Sequence, residues 1–417
     1  MIRSLTVGVP VFSQSKSHLT QQLTAFSEYS QLLSKKFNLP FRTTRLTLPA
    51  PAFGHDVSEG GLRSVIDTVK DLAAAAGARW YCLPVDLFDP KVNSAVLDEV
   101  LNLIVRDSQL FVNLIVAKQK TISIAGAYEA SRFITNLSRR SSNGIDNFRL
   151  GVSAACQAGT PFFPFSRHEG PEAGFSIALE TTDSALFIAE QARKERWTLS
   201  RFQDELIAQL QNSFGQAEQF GQELAAASGI HFLGIDASLA PFPDGKTSVA
   251  SVIESMGPTP VGSLGTVFMT SVLTDAIKVA AYRAKATLVG FNGVMFSVLE
   301  DNGLTHANNL RALTLEKLAL FSTVCGCGID MVPIPSTTFS EDIAGLILDI
   351  SALATRLNKP LGVRLLPIPN KSVNEYTQLN LDFLCDGRVM ETGISASKPI
   401  LADEQWRYGM DRQQDDL

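Results

Sequence analysis

GIHFLGIDASLAPFPDGKTSVASVIESMGPTPVGSLGT (residues 229–266) opens the stretch of sequence that decides the fold. The stretch continues with GFNGVMFSVLEDNGLTHA (290–307) and VCGCGIDMVPIP (324–335). In each piece an apolar run typical of a strand ends in a loop that carries Asp, Glu, Ser or Thr beside Gly or Pro. Such loops carry the chemistry in alternating α/β proteins, because the sheet fixes where they point. The stretch therefore predicts an α/β fold with a site at its strand ends.

Outward from this stretch, strand and helix patterns alternate along the chain. Strands are predicted at 2–9, 41–48, 79–85, 109–117, 148–155, 175–180, 230–236, 287–290, 294–299, 328–334 and 361–368. Helices are predicted at 17–36, 61–76, 93–105, 123–139, 184–195, 200–228, 248–256, 266–284, 314–324 and 340–357. The spacing is typical of βα units with a largely parallel sheet. No low-complexity linker divides the chain, so we predict one domain over 1–417, with a return loop and tail from about 378.

The composition excludes several classes of protein. Of the 417 residues, 45% are hydrophobic and 19% are charged, which suits a large buried core rather than a disordered chain. The 36 basic and 42 acidic residues form no Lys/Arg block, so no nucleic-acid partner is expected. No secretory signal and no run of about 18 apolar residues occurs, so no membrane partner is expected either. The odd, scattered set of five cysteines predicts reduced thiols and a cytoplasmic location.

Nucleotide cofactors have characteristic glycine motifs, and these are missing from the sequence. No G-x-G-x-x-G follows a predicted strand, and no G-x-x-x-x-G-K-[ST] occurs. We therefore expect neither NAD nor flavin nor ATP.

Seven short motifs follow one another in a distinctive order. They are R-x-x-T-x-G from Arg3, D-x-S-L-A-P from Asp236, S-V-A-x-V-x-E-x-M-G from Ser248, V-G-x-x-G-T from Val261, E-D-x-G from Glu300, C-x-x-G-x-D-M from Cys325 and V-R-x-x-P from Val363. In this order the motifs resemble the DUF711 family, also called the UPF0210 proteins, whose biochemical function is unassigned. The resemblance spans nearly the whole chain.

The resemblance implies a fold and a partner. The implied fold is a ten-stranded α/β barrel like that of pyruvate formate-lyase and the other glycyl radical enzymes, with two parallel halves closed on each other. The radical itself is not expected, because Glu391 stands in the string Arg388-Val389-Met390-Glu391 where the radical glycine is required. Family members are often encoded beside a small ACT-domain protein, which suggests such a partner and a link to amino-acid metabolism. We also expect a homo-oligomer.

His168 and Glu172 are the predicted acid/base pair. They lie in the string R-H-E-G-P-E-A-G, where Gly170, Pro171 and Gly174 favour a loop. An imidazole and a carboxylate four residues apart can transfer protons or bind a metal. The alternative is a hydrogen-bonded loop without a catalytic role.

Two further pairs of polar residues lie in or directly after predicted strands. Asp236 and Ser238 follow the apolar run HFLGI, where they could bind a substrate or a cation. The alternative is that Asp236 caps the turn through an Asx hydrogen bond. Asp330 and Arg364 could bind a charged substrate or pair with each other inside the fold.

The loop 262–266 precedes an apolar helix and could bind the anionic end of a substrate. Gly262 and Gly265 would let backbone N–H groups approach an anion, with Ser263 and Thr266 beside them. The alternative is that Thr266 simply caps the helix. The resembled family often has His where this chain has Leu264, so any role of that side chain is absent here.

Three remaining sets of residues have weaker patterns. Glu300 and Asp301 are adjacent acids that would suit Mg²⁺ or Ca²⁺ if other oxygen ligands converge, and a solvated turn is the alternative. Cys325 could be a thiolate nucleophile or a buried structural cysteine, and with Cys327 it lacks the second pair that zinc requires. His231, in an apolar run, is predicted to belong to the core.

These observations favour an enzyme that performs acid/base chemistry on a small polar anion, as an isomerase, a lyase or a hydrolase. The competing hypothesis is a non-catalytic metabolite-binding or regulatory protein. Geometry discriminates between the two, because an enzyme must bring its polar groups to one cavity. We predict that such a cavity is faced by His168, Glu172, Asp236, Glu300 and Asp330.

Overall fold

The computed structural model describes residues 1–55, 57, 61–393 and 405–408. Its strands are β1 Ile2–Gly8, β2 Phe41–Thr47, β3 Ala78–Asp86, β4 Leu110–Lys118, β5 Thr121–Ser123, β6 Leu150–Ala154, β7 Gly174–Leu179, β8 His231–Asp236, β9 Gly328–Pro335, β10 Leu361–Ile368 and β11 Gln405–Arg407. Its α-helices are α1 Lys16–Phe37, α2 Leu62–Ala75, α3 Ser94–Arg106, α4 Ile124–Arg140, α5 Thr182–Glu195, α6 Leu199–Ser228, α7 Val249–Ser255, α8 Thr266–Ala284, α9 Asn302–Asn309, α10 Leu315–Phe321 and α11 Ser340–Leu357. Two 3₁₀ helices cover Ser142–Arg149 and Val298–Glu300.

One large sheet forms the centre of the molecule, with its strands in the order β8-β7-β1-β2-β3-β4-β6-β10-β9. The strands β1, β2, β3, β4 and β6 run parallel to one another. At one edge of this group β7 pairs antiparallel with β1, and at the other edge β10 pairs antiparallel with β6. The predicted α/β class is confirmed. Strands β7, β8, β9 and β10 run in the opposite direction to the five parallel strands.

The predicted barrel of ten strands is not confirmed. The segments 287–290 and 294–299, predicted as strands, contribute single bridges at Leu288, Val294 and Ser297 instead of ladders. Loops interrupt the pairing here because Gly290 and Asn292 adopt positive φ angles, which regular strands do not use. The structure supports the coarser description, an α/β fold with a large central sheet.

Apolar periodicity explains how the helices cover the sheet. The amphipathic helix α6 packs against α1 and α8, and α4 packs against α11. Strands β9 and β10 are buried at every residue, as expected for strands covered on both faces. Helix α9 begins after the N-cap Asp301 and was missed by the sequence patterns, because Asn302, Gly303, Asn308 and Asn309 are poor helix formers.

The segment 157–173, between β6 and β7, crosses one face of the sheet and covers it without helices. Glycines in the strands make room for it. A Cβ atom on Gly151 would lie 2.5 Å from the ring of Pro164, and one on Gly362 would lie 2.3 Å from the ring of Phe165. The segment is fixed by hydrogen bonds that require this close approach. Thr6 Oγ1, for example, donates to the carbonyl of Pro161 over 2.8 Å.

The predicted C-terminal return loop and tail are only partly described. Residues 405–407 form β11, which pairs with β5, while 394–404 and 409–417 lie outside the described residues. Within the described part of the chain, no helix is both long enough and apolar enough to cross a membrane.

Candidate functional site

A cavity of about 830 Å³ lies at the amino ends of β1, β2, β3 and β4, beside β9 and β10. Its charged lining residues are Arg3, Arg42, Arg45, Arg79, Asp146, Arg149, Glu300, Asp330 and Arg364. Its aromatic lining residues are Trp80, Phe111, Phe148, Phe162, Phe163, Phe165, Phe242 and Phe383. This volume is typical of a site for a small organic molecule, and the lining combines aromatic rings with many charged groups.

Arg364 holds two carboxylates together at one side of this cavity. Its Nε donates to Asp330 Oδ1 over 2.5 Å, and its Nη2 donates to Asp330 Oδ2 over 2.9 Å and to Glu300 Oε2 over 2.5 Å. Ser297 Oγ also donates to Glu300 Oε2, over 2.6 Å. Among the described residues, nothing donates to Glu300 Oε1. We call Glu300, Asp330 and Arg364 the acidic cluster.

The two acids of the cluster differ in proton affinity. Burial raises the pKa of Asp330, and the negative charge of Glu300 raises it further, against the opposing charge of Arg364. Burial also acts to raise the pKa of Glu300, but the charges of Arg364 and Arg3 and the Ser297 hydrogen bond bring it below its usual value. Opposite shifts in neighbouring acids are typical of groups that exchange protons. The charge of Arg364 thus favours the ionised form of Glu300.

Arg45 brings a positive charge to the same cavity without a salt bridge to any described residue, and the charge of Glu300 acts on it only from a longer distance. It is only 7% exposed, and its Nε donates to Thr43 Oγ1 over 3.3 Å. Its guanidinium carbon lies 5.4 Å from the ring centroid of Trp80 and 5.3 Å from that of Phe163. Within the described chain no carboxylate is in salt-bridge range of Arg45. Burial and the positive charge of Arg3 lower the pKa of Arg45 to about 9. A buried cation without a partner marks a position suited to an anion.

Three neighbouring arginines of the cavity bind carboxylates or carbonyls, whereas Arg79 is exposed and lies with its guanidinium carbon 4.5 Å from the ring centroid of Trp80. Arg42 forms two hydrogen bonds to the buried Glu180, and Arg3 Nη1 reaches the same carboxylate at 3.3 Å. Arg149 donates to the carbonyl of Leu110 and pairs with Asp146. The sequence patterns missed Arg45, although the alternation in FRTTRLT (41–47) places Thr43, Arg45 and Thr47 on one face of β2.

The structure separates the predicted pair His168 and Glu172. Glu172 is exposed and pairs with His231, which is itself exposed at the beginning of β8 rather than in the core. His168 is 3% exposed and packs against Gly8, where burial lowers its pKa. The turn at Gly170, with a φ of 98°, reverses the chain between the two side chains. Neither lines the cavity, so the predicted convergence is wrong for both.

Asp236 and Ser238 also lie away from the cavity. Asp236 is fully buried and accepts hydrogen bonds from Ser238 Oγ at 2.6 Å and from the backbone N–H groups of Ser238, Phe291 and Asn292. Ser238 Oγ in turn accepts from the N–H of Gly293 at 3.2 Å. The two side chains therefore join the end of β8 to a second loop, as the Asx alternative predicts.

The adjacent acids Glu300 and Asp301 do not share a site. The Asp301 carboxylate is buried and accepts from Ser248 Oγ at 2.6 Å, Val249 N at 2.7 Å and Gly303 N at 2.8 Å, so it caps the starts of α7 and α9. Nowhere in the described residues do three or more His, Cys, Asp or Glu side chains form a group that could hold a metal ion. Asp301 therefore caps two helices while Glu300 belongs to the acidic cluster, so the two acids do not form the predicted Mg²⁺ or Ca²⁺ site.

The loop 262–266 uses its polar groups internally. The N–H of Gly262 donates to Thr266 Oγ1 over 3.0 Å, and Thr266 Oγ1 donates to the carbonyl of Ser263 over 2.8 Å. Gly265, with a φ of 95°, directly precedes α8. The loop does not line the cavity.

Cys325 is buried in the main core, away from the cavity lining. A hydrogen bond with Cys327 and the charge of Lys359 lower its pKa, whereas the pKa of Cys327 is raised. Lys359 Nζ donates to the carbonyls of Cys325 and Ser322. This environment supports the structural alternative, because a nucleophile must reach its substrate. Of the predicted site residues, the structure thus brings Glu300, Asp330 and Arg364 together.

The chain was also compared with known proteins. The sequence model of the family described as "Uncharacterised ACR (DUF711)" matches residues 1–380. A UPF0210 protein of Carboxydothermus hydrogenoformans is 25% identical over 395 residues, which cover 90% of this chain and 87% of that protein. A UPF0210 protein of Pyrobaculum arsenaticum is 40% identical over 162 residues, which cover 39% of this chain and only 36% of that protein's length.

One solved structure, titled "Anaerobic ribonucleotide reductase", is similar with a TM-score of 0.35 and 10% sequence identity. The match covers 86% of this chain and 62% of that chain. A likeness of this size carries no argument about fold or function.

Proposed function

This chain belongs to the DUF711 family, whose function is unassigned, and we propose that it is an enzyme that binds a small organic anion and transfers protons at the acidic cluster. The uncompensated guanidinium of Arg45, in the same cavity as Glu300, carries the proposal. Arg45 would bind the negative charge of the substrate. All five cysteines carry free thiols, which supports the predicted cytoplasmic location.

The acidic cluster supplies the groups that proton transfer needs. Glu300 Oε1 has no donor among the described residues, so it is available to accept a proton from a bound molecule. Arg364 contacts both acids, and its charge favours the ionised form of Glu300, which is the form that can accept a proton. An isomerase or lyase requires only such transfers, and we therefore propose this class ahead of a hydrolase.

Proton transfer can be measured before the natural substrate is known. Pyruvate, phenylpyruvate, L-aspartate and L-phenylalanine would be incubated with the protein in D₂O, and loss of each C–H signal followed by proton NMR. The wild type should accelerate exchange of at least one compound. Glu300→Gln should slow that exchange by about 100-fold or more, since general-base catalysis contributes about 10²–10⁴-fold. Glu223→Gln, in an exposed pair with Lys36, is the matched control and should exchange normally.

A binding protein without catalysis is the second candidate. It is favoured by the contacts of Asp330, because both of its carboxylate oxygens already accept hydrogen bonds from Arg364. Calorimetric binding of one of these acids without any exchange, and with equal affinity for wild type and Glu300→Gln, would establish this candidate instead.

A further inference from the structure

We propose that the ligand of the cavity is an aromatic carboxylate, whose ring lies on a wall of protein rings and whose carboxylate binds Arg45. The inference rests on the proposed function in one respect, the use of the same cavity for an anion. It goes further by naming the chemical class of that anion. It also replaces the small polar metabolite predicted from the sequence by a molecule with an apolar body.

The wall is a continuous set of rings in contact, which we call the aromatic wall. Phe111 is its centre, with its ring centroid 5.4 Å from that of Trp80, 5.3 Å from that of Phe163 and 5.8 Å from that of Phe148. All four rings line the cavity. Aromatic rings at these tilted geometries attract a further ring through its edge or its offset face. A planar ring on the wall would therefore gain more than a saturated ring of the same size.

Arg45 provides the anchor for a carboxylate at one part of the wall. Its guanidinium contacts the rings of Trp80 and Phe163, and its Nε is used by Thr43. The two Nη groups have no acceptor among the described residues. Two parallel N–H donors of this kind match the two oxygens of a carboxylate.

The wall also leads from the anchor to the acidic cluster. The guanidinium of Arg364 lies 5.4 Å from the ring centroid of Phe148, as that of Arg45 does from Trp80. A ligand that lies along the wall with its carboxylate at Arg45 would present its other end towards Glu300. The aromatic wall would thus orient the molecule between the anchor and the group that accepts the proton.

Three of the cavity's arginines already have partners within the protein. Arg3 and Arg42 are bound to Glu180, and Arg149 is bound to Asp146 and to backbone carbonyls. A polar ligand placed against these three side chains would have to compete with those partners. An aromatic monoacid asks for one charged anchor and apolar surface, and the cavity offers both.

Four probes separate the ring from the charge. Calorimetric titration would use phenylacetate, cyclohexylacetate, acetate and 2-phenylethanol. We expect phenylacetate to bind at least tenfold more tightly than acetate, which lacks the ring, and than 2-phenylethanol, which lacks the charge. Cyclohexylacetate should bind at least threefold more weakly than phenylacetate.

Two variants test the named contacts. Arg45→Gln should weaken phenylacetate at least tenfold and leave 2-phenylethanol unchanged, whereas Phe163→Leu should weaken phenylacetate and leave acetate unchanged. Arg201→Gln, an exposed arginine of α6 paired with Glu195, is the control and should bind all four probes as the wild type does.

The outcomes distinguish this inference from the proposed function. Acetate or cyclohexylacetate binding as tightly as phenylacetate would overturn the aromatic class, while anion binding in the cavity would stand. Equal binding of phenylacetate by wild type and Arg45→Gln would overturn the anchor. If none of the anions binds, the proposed function fails together with this inference.

Discussion

Replacing Arg45 by methionine is expected to stabilise the ligand-free protein and to abolish its binding of anions. In the folded chain Arg45 is 7% exposed, and its guanidinium contacts two aromatic rings and has no carboxylate within salt-bridge distance among the described residues. A methionine side chain is also long and flexible and makes favourable sulfur contacts with rings. The substitution therefore removes a buried charge while keeping most of the packing.

The size of the effect follows from the pKa of the guanidinium. It falls from 12.5 to about 9, and at about 1.4 kcal/mol for each unit this corresponds to about 5 kcal/mol against the charged form at neutral pH. Two cation–π contacts of about 0.5–2 kcal/mol each and one hydrogen bond of about 1 kcal/mol are lost in the variant. We expect a net gain of about 0–3 kcal/mol in the free energy of unfolding, in the range found when buried charges are replaced by apolar groups.

Urea unfolding in a buffer free of organic anions would measure this gain, with Arg149→Met as the matched control. Arg149 is also buried but has Asp146 as its partner, so its replacement should cost about 3–5 kcal/mol. Addition of phenylacetate should raise the midpoint of the wild type and not that of Arg45→Met. A loss of stability greater than about 1 kcal/mol in Arg45→Met would refute the view that this charge is uncompensated.

Three further predictions concern residues outside the cavity. Burial lowers the pKa of His168 below 6.5, so the unfolded chain binds the proton first and the free energy of unfolding should fall as the pH drops below 6.5. Urea unfolding at pH 7.5 and 5.0 should show a smaller fall for His168→Gln than for the wild type, and identical falls would contradict this role of His168. Asp301→Ala should lower the free energy of unfolding by about 2–5 kcal/mol in the same assay, because the first turns of α7 and α9 lose a hydrogen-bond acceptor. A decrease below about 1 kcal/mol would show that this cap is dispensable. Glu172→Gln should leave both the unfolding midpoint and anion binding unchanged, since its pair with His231 is exposed, and a clear shift in either would show that Glu172 has a further role.

The sequence predicted most elements because their patterns are local. Helix α8 was predicted at 266–284 and is found at Thr266–Ala284, and α11 likewise agrees at both ends. The predicted strands at 287–290 and 294–299 failed because an apolar composition alone does not reveal positive φ angles at Gly290 and Asn292. Strand direction was equally hidden, since the reversal at β7 depends on its pairing with β1, which lies far away in the sequence.

The candidate site could be predicted only in part, because partners distant in sequence decide which acids remain available. Asp236 and Asp330 both belong to apolar strands and look alike in the sequence. Asp236 accepts from the N–H groups of Phe291 and Asn292, 55 and 56 residues further on, whereas Asp330 meets Arg364 beside a cavity. Whether Arg45 has an ion-pair partner likewise depends on side chains from several strands that are distant in sequence. The spacing of residues along the chain does not predict it.

The antiparallel pairing at both borders of the five parallel strands has a consequence for biosynthesis. Until β7 and β10 are made, β1 and β6 are open edges that can pair with other chains and aggregate. The second edge stays open longest, since β10 ends at Ile368, more than two hundred residues after the end of β6 at Ala154. At about 5–20 residues per second, a ribosome needs roughly 10–40 s to synthesise that interval. During this time the unpaired edge of β6 is exposed to pairing with other chains, so the risk of aggregation is greatest before β10 is complete.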